Sequence, residues 1–124
     1  MQRPSNKELF GKLRDAKTAV WNRDVFLIDQ DVIAEDAIEL GYDIGYELFD
    51  VLADLLEGTF LNNYAGSHPP QKSYKGEIEG LELFPFVVES PRFKCRVYFK
   101  FALSGGSLWL VSLHQDRPPI KESS

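Results

Sequence analysis

Residues that build metal sites and disulfide bonds are scarce in this sequence. Its 124 residues include one cysteine, Cys95, and two histidines, His68 and His114. A single cysteine forms no internal disulfide bond, and so few Cys and His side chains do not supply the usual ligand set of a structural zinc site. No glycine-rich phosphate loop, nucleophile elbow or calcium loop is present either. The sequence therefore predicts a protein without a metal or another cofactor.

Long apolar runs are also missing. No stretch approaches the roughly 20 apolar residues that span a bilayer, and the opening MQRPSNKELF lacks the apolar core of a secretory signal. The single cysteine suits a compartment that keeps thiols reduced. These absences predict a cytoplasmic protein that has no membrane partner. Because Cys95 falls among apolar residues, we expect it to be a small buried side chain rather than a nucleophile.

Positive charge is absent from the middle of the chain. Residues 1–23 carry six basic and two acidic side chains, whereas residues 24–57 carry eleven acidic side chains and no lysine or arginine. We expect these carboxylates to lie in solvent, without local partners and without binding metal. From residue 72 onward, eight basic side chains accompany six acidic ones. The net charge of −5 argues against sequence-independent DNA binding, but a small basic patch in this last part is enough to hold one phosphate or a short RNA.

The length and an apolar fraction of 44% predict a single domain, residues 1–124. Its parts are expected to be an N-terminal helix in 1–23, a helical hairpin in 24–58, a loop in 59–73, an antiparallel sheet in 74–115 and a tail in 116–124. Helices followed by strands are typical of an α+β fold. We expect the N-terminal helices to pack on one face of a curved antiparallel sheet.

Apolar residues at helical spacing predict three helices. Asp29 or Asp31 is expected to cap the second helix, and Gly41 to end it. Asp43 is expected to cap the third helix, which Gly58 ends. The side chains expected to face inward are Leu9, Leu13, Ala16 and Val20 in the first helix; Val32, Ile33, Ala37 and Leu40 in the second; and Ile44, Leu48, Val51, Leu52, Leu55 and Leu56 in the third.

Three shorter segments are predicted to be extended. Residues 25–28 form an edge strand or an extended segment, and residues 74–79 and 81–89 form two short strands. Because Pro85 has no N–H to donate, its strand must lie at a sheet edge or carry a bulge at that point. The loop before these strands contains His68-Pro69-Pro70, which favours a stiff, extended chain.

Residues 93–114 predict a β-hairpin with one apolar and one polar face. Side chains alternate between the two faces of a strand, and Gly105-Gly106 supplies the turn, since glycine accepts positive φ. The apolar face is expected to hold Phe93, Cys95, Val97, Phe99, Phe101 and Leu103, and the other face Lys94, Arg96, Tyr98, Lys100 and Ala102.

Two registers are possible for this hairpin. A two-residue Gly-Gly turn pairs Leu103 with Leu108 and places His114 on the same side as Phe99 and Phe101. A three-residue loop with a glycine bulge pairs Leu103 with Trp109, Phe101 with Val111 and Phe99 with Leu113. Burial favours the register that separates apolar from polar residues, so we predict the second. It gathers Tyr98, Lys100, Ser112 and His114 on the polar face.

Two parts of the sequence resemble one known family. The first is DAIELGYD at residues 36–43, followed by VLADL at 51–55 and the segment 60–64. The second is VYFKF at 97–101, followed after a glycine turn by LVSLH at 110–114. In this order they resemble the MqsR-like toxins of bacterial toxin–antitoxin pairs, which belong to the wider RelE-like group of small ribonucleases. The resemblance covers roughly residues 25–115.

This resemblance implies a RelE-like fold and a metal-independent mRNA endonuclease that a partner antitoxin neutralises. The positions that match the family's strand motifs are Tyr98, Lys100, Ser112 and His114. A polar residue ahead of these strands often contributes in the family, and the candidates here are Lys72, Tyr74 and Lys75, of which we take Lys75.

The chemistry of RNA cleavage without metal suits the same residues. The reaction needs a base for the 2′-hydroxyl, an acid for the leaving oxygen and cations for the phosphate. An imidazole ordinarily exchanges protons near neutral pH, so His114 is the expected acid or base, together with Lys100 and Tyr98 in the catalytic group. Arg96 and Arg117, like Ser112 and Lys75, are expected to bind the substrate. Tyr98 can stack on a base or donate to a phosphate oxygen.

Two other functions remain open at this point. A RelE-like scaffold without catalysis would be a protein- or ligand-binding module that takes up a peptide strand at its sheet edge. A small acidic protein whose helices imitate nucleic-acid charge is the third reading. Tyr and Lys also alternate on the solvated faces of many sheets without any catalytic role.

Overall fold

Three helices cover one face of a four-stranded sheet in the computed structural model, which describes residues 6–67 and 70–116. The elements of this part of the chain are α1 (Asn6–Trp21), β1 (Val25–Leu27), α2 (Gln30–Leu40), α3 (Ile44–Glu57), β2 (Phe84–Ser90), β3 (Cys95–Ser104) and β4 (Ser107–Gln115), with short 3-10 turns at Leu61–Asn63 and Gly76–Ile78. The predicted α+β class is confirmed. No helix among these residues is long and apolar enough to cross a membrane.

The sheet has the strand order β1-β4-β3-β2. β2, β3 and β4 form an antiparallel meander, while β1 lies parallel to β4 at the opposite edge. Of the two readings for residues 25–28, the edge strand is therefore correct. Pro85 lies in β2, which is the other edge strand, as the missing N–H requires.

The apolar stripes of the helices meet the sheet on what we call the inner face. Four phenylalanines form its centre, with ring centroids 5.8 Å apart for Phe86 and Phe99 and 6.2 Å apart for Phe84 and Phe101. Their side chains are at most 1% exposed. All the predicted inward residues of α1 and α3 are buried or half-buried, but Val32 of α2 is exposed, so that prediction was wrong. It stands next to Ile33, which takes the inward position.

The helix ends follow the predicted signals with one exception. Asp43 Oδ1 accepts from the backbone N–H of Gly45 at 2.8 Å, and Gly41 ends α2 with φ 95°. Asp29 precedes α2 but does not cap it with its side chain. Its carboxylate instead pairs with Lys75 Nζ at 3.0 Å, because the left-handed backbone of Asp29 turns the side chain away from the helix start.

The acidic middle segment is anchored to the sheet by ion pairs. Arg92, in the turn between β2 and β3, contacts Asp54 Oδ2 at 2.6 Å and Glu47 Oε2 at 3.0 Å. Together with the Asp29–Lys75 pair, these contacts show that cations remote in sequence neutralise part of the segment's charge, although no local partners were expected. Both cations lie after residue 72, so the acidic segment and the mildly basic part of the sequence are next to each other.

Residues 74–79 are not a strand. Their alternating pattern ends in a 3-10 turn, Gly76–Ile78, of which only Ile78 is buried. Gly80 follows with φ 84°, a conformation that does not continue a strand. Ile78 packs with Ile28, Leu83 and Ala102 in a small cluster on the side of the sheet away from the helices, the outer face.

The register of the central hairpin differs from the predicted one near its turn. Gly105 and Gly106 both have positive φ and form a two-residue turn, so Leu103 pairs with Leu108, and Phe101 pairs with Leu110 rather than Val111. The predicted three-residue loop was wrong. A bulge does occur, but at Val111, between the pairs Phe101–Leu110 and Lys100–Ser112. Beyond it the predicted pairs Phe99–Leu113 and Tyr98–His114 are present.

Candidate functional site on the outer sheet face

Two cross-strand pairs bring four polar side chains together. Tyr98 pairs with His114, and Lys100 pairs with Ser112. The rings of Tyr98 and His114 stack with their centroids 5.1 Å apart and their planes 17° from parallel. All four side chains are half-buried, so each has a fixed surrounding and still reaches solvent. We call this group the outer-face cluster.

The bulge at Val111 makes this cluster possible. In an unbulged ladder after a two-residue turn, Ser112 and His114 would point to the helix-covered side. The extra residue shifts β4 by one position, so that Leu113 points into the core, where it is 0% exposed, and His114 points outward. Val111 itself packs against the small outer cluster of Ile78 and Ala102.

The orientation of His114 defines which ring nitrogen is available. Nδ1 lies 2.8 Å from the backbone oxygen of Gln115. A carbonyl oxygen only accepts hydrogen bonds, so Nδ1 carries the hydrogen of the neutral ring and donates it. Nε2 is then the nitrogen with a free lone pair. An imidazole held in this way can take a proton from a hydroxyl placed next to Nε2.

Tyr98 keeps its proton over an extended pH range. Burial raises the pKa of its phenol, and the negative charge of Asp116 raises it further. The hydroxyl is therefore a neutral hydrogen-bond donor at physiological pH and not a phenolate base. Such a donor can bind a phosphate oxygen, while the face of its ring supports the imidazole of His114.

A cleft of about 130 Å³ opens beside Tyr98 and Lys100. Its other walls are Leu83 and Pro85 of the sheet side, Gln71, and the loop segment 65–67. Within the described residues Lys100 takes part in no ion pair, so its ammonium group is available to a ligand's negative charge. Gln71 was missed in the sequence, since a lone amide in a polar loop gives no signal before the loop is placed.

The loop wall of the cleft is held by Tyr64 and Gly66. Tyr64 Oη donates to the backbone oxygen of Ser67 at 2.8 Å, and the N–H of Ala65 donates to the oxygen of Pro85 at 2.9 Å. A Cβ on Gly66 would lie 2.6 Å from Tyr64 Cζ and 2.9 Å from Pro85 Cδ, which is too close for any side chain. A glycine is therefore required where this loop crosses the edge of β2.

The other predicted site residues have different surroundings. Arg96 lies on the exposed end of β3, with Nε 3.8 Å from Glu89 Oε2 and 4.0 Å from Asp116 Oδ2. Lys75 is bound to Asp29, as described above, and it lines neither the cleft nor the outer-face cluster. Arg117 and His68 lie outside the described residues. Cys95 is half-buried and packs against the core, in agreement with its place on the apolar face.

The cluster brings an imidazole, a neutral phenol and a cation together on two neighbouring strands. No group of three or more His, Cys, Asp or Glu side chains suited to a metal ion occurs in residues 6–67 and 70–116. These side chains suit chemistry on a phosphate ester, where a proton must be taken and negative charge must be stabilised. No protein-family model and no curated protein matches this chain.

Proposed function

We propose that the outer-face cluster binds single-stranded RNA and cleaves it without a metal ion. The observation that carries this proposal is the stacked Tyr98–His114 pair, in which the lone pair of His114 Nε2 is available. Lys100, on the same face of β3, forms no ion pair within the described residues. The resemblance of residues 25–115 to MqsR-like and RelE-like toxins supports the same activity. The order of the elements also agrees with the resemblance, because a helical hairpin, α2 and α3, precedes the strands that carry these residues.

The proposed reaction uses the 2′-hydroxyl of the RNA as the nucleophile. Nε2 of His114 takes the hydroxyl proton, and the oxygen attacks the adjacent phosphorus. The bond from phosphorus to the 5′ oxygen breaks, and this oxygen takes a proton from water. The hydroxide that remains takes the proton from His114, which returns the ring to its neutral form. The products are a 2′,3′-cyclic phosphate and a free 5′-hydroxyl. Lys100 and the phenol of Tyr98 stabilise the negative charge that develops on the phosphate oxygens.

The size of the cleft supports a polymeric substrate. Sites for small-molecule ligands usually measure about 300–1,000 Å³, whereas this cleft is about 130 Å³. It can accept one phosphate group or the edge of one base. Most of the substrate would then lie on the open outer face, where the Tyr98 and His114 rings offer a surface on which a base can stack.

An antitoxin partner belongs to the same proposal. A protein that covers the outer-face cluster would exclude RNA and so neutralise the activity. Binding of a peptide strand at the sheet edge has less support. Hydrogen bonds from Ala65 to Pro85 and from Leu83 to Gln71 already occupy part of the outer edge of β2, and β1 at the opposite edge has only three residues.

Induced expression in bacteria tests the proposal. We expect growth arrest, and we expect total RNA to contain new cleavage ends that carry 2′,3′-cyclic phosphates. Purified protein should produce the same ends on single-stranded RNA in the presence of EDTA. Replacement of the base, His114→Ala, should slow cleavage by about 10²–10⁴-fold. Growth without arrest and RNA without new ends would refute the proposal, and an activity that EDTA removes would assign the cleavage to a metal enzyme.

A further inference from the structure

Two exposed stripes run along the helices on the side away from the sheet. On α1 the stripe consists of Phe10, Arg14, Lys17 and Trp21, and on α3 it consists of Tyr46, Asp50, Ala53 and Glu57. In both helices these residues recur at alternating four- and three-residue intervals, the spacing of the contact positions in helix–helix interfaces. All eight side chains are exposed.

The aromatic members of the stripes are unusually open to solvent. Phe10 is 63% exposed, Trp21 86% and Tyr46 88%, and Phe60 next to the end of α3 is 70% exposed. Single exposed apolar side chains are ordinary, but several large exposed aromatic residues on one pair of helices mark an interaction surface. Trp21 lines a groove of about 570 Å³ between α1 and α3, and Phe10 and Phe60 line a second groove of about 350 Å³. The two grooves share Lys17 and Glu57 as lining residues.

The two sides of the groove carry opposite charge. Arg14 and Lys17 stand on the α1 side, while Asp50 and Glu57 stand on the α3 side. The two helices run in opposite directions. Arg23, just after α1, lies over the ring of Phe49 in the first half of α3. Phe10, near the start of α1, lines the same groove as Phe60, which follows α3. The surface is therefore basic along one edge and acidic along the other.

We infer that two copies of the chain associate through this α1–α3 face. A twofold axis along the groove lays α1 of one copy over α3 of the other. Lys17 of each copy then meets Glu57 of the second copy, and Trp21 is covered near Asp50 and Tyr46. An axis across the groove would place α1 on α1 and bring like charges together, which is unfavourable. The charge pattern thus selects one of the two arrangements.

The expected dimer is weak and depends on concentration. Helices of about 20–24 Å in length that lie about 10 Å apart present a face of roughly 500 Å². A standard interface buries about 800 Å² on each partner. Association in the micromolar range is therefore expected. The dimer leaves the outer-face cluster open, so this inference does not depend on the proposed function.

Charge reversal tests the arrangement in a way that separates it from effects on folding. Lys17→Glu alone and Glu57→Lys alone each place two like-charged pairs in the dimer, and we expect each to weaken association by about tenfold or more. When the two variants are mixed, one reversed pair and one native pair form across the interface, and association should return. The exposed Lys94→Glu makes the same charge change at a residue that lines neither groove, so it is the matched control and should dimerise like the native protein.

Sedimentation equilibrium over a wide concentration range measures these outcomes, with thermal melting to show that the variants fold. We expect the native protein and the mixture of variants to dimerise with similar affinity. The emission of Trp21 should shift to the blue as the dimer forms, in a variant that lacks the second tryptophan through Trp109→Phe. A native protein that stays monomeric, or a mixture that associates no better than either variant alone, would overturn the inference.

Discussion

The two faces of the sheet differ in what their side chains can do, although the same strands build both. On the inner face, Phe99, Phe101 and Leu113 are 0% exposed and belong to the apolar core. On the outer face, their neighbours Tyr98 and His114 remain half-exposed. The side chains of the inner face pack against one another, whereas Tyr98 and His114 on the outer face can still contact a ligand. One extra residue in β4 maintains this separation.

The outer face is itself divided. Near the hairpin turn, Ile78 packs with Ala102 and Leu83, and these three side chains are at most 6% exposed. Further along the strands no comparable side chain packs on the outer-face cluster in the described residues, and the cleft opens there. The segment that was expected to be a strand thus supplies one side chain, Ile78, that packs on the outer face.

Truncation of Phe101 breaks only the inner face. Phe101→Ala removes a fully buried ring that contacts both Phe84 and Phe86. We expect a loss of about 3–5 kcal/mol in the free energy of unfolding, as for other large-to-small changes in a core. Chemical denaturation gives this value directly. A loss below about 1 kcal/mol would place Phe101 outside the core.

Substitution of Gly66 affects the outer face of the sheet, because Gly66 lies in the loop that forms one wall of the cleft. In Gly66→Ala the new methyl group meets the Tyr64 ring and Pro85, so the loop must move. We expect a destabilisation of about 1–3 kcal/mol and weaker RNA binding. Gly76→Ala is the matched control, since a Cβ there meets nothing within 4 Å. If Gly66→Ala and Gly76→Ala changed RNA binding equally, the loop wall of the cleft would not be part of the binding site.

Tyr42 places a polar hydroxyl in the apolar core. Its hydroxyl has no hydrogen-bond partner within the described residues, and burial, aided by the charge of Asp36, raises its pKa from 10.0 to about 12. Tyr42→Phe should therefore change stability by less than about 1 kcal/mol at neutral pH. The folded state holds this proton more tightly than the unfolded state. The native protein should thus lose about 1–3 kcal/mol relative to the variant as the pH rises from 10 towards 12.

Denaturation of both proteins at several pH values checks this prediction. Parallel pH profiles for the native protein and Tyr42→Phe would show that the hydroxyl ionises in the folded state as easily as in the unfolded state. A large loss at neutral pH would instead show that the hydroxyl has a partner.

The helices and the two faces of β3 could be predicted from periodicity because each follows from local spacing. Asp43 and Gly41 marked helix ends, and the alternation in 93–103 predicted which side is buried. The position of the bulge could not be predicted in this way, since a bulge in the turn and a bulge at Val111 give the same faces for Tyr98 and His114. The turn geometry of Gly105 and Gly106 decides between them.

Other parts depend on contacts between distant residues. Tyr74 and Ile78 have the spacing of residues on one face of a strand. Tyr74 is nevertheless 90% exposed, whereas Ile78 is buried against the outer face of the sheet. Lys75 was expected near the site, but Asp29, which is remote in sequence, holds it elsewhere. Gln71 reaches the cleft only because its loop follows the edge of β2. No local pattern contains this information.

The most direct test of the functional assignment is single-turnover cleavage of single-stranded RNA, in EDTA, by three proteins. The native protein should cut the RNA, and Lys100→Ala should slow the chemical step by about 10²–10³-fold, the usual cost of losing one donor to a developing anion. The exposed Lys94→Ala removes the same charge outside the cluster and should leave the rate unchanged. Absence of cleavage by the native protein, or equal rates for the two lysine variants, would contradict the assignment of the outer-face cluster as a ribonuclease site.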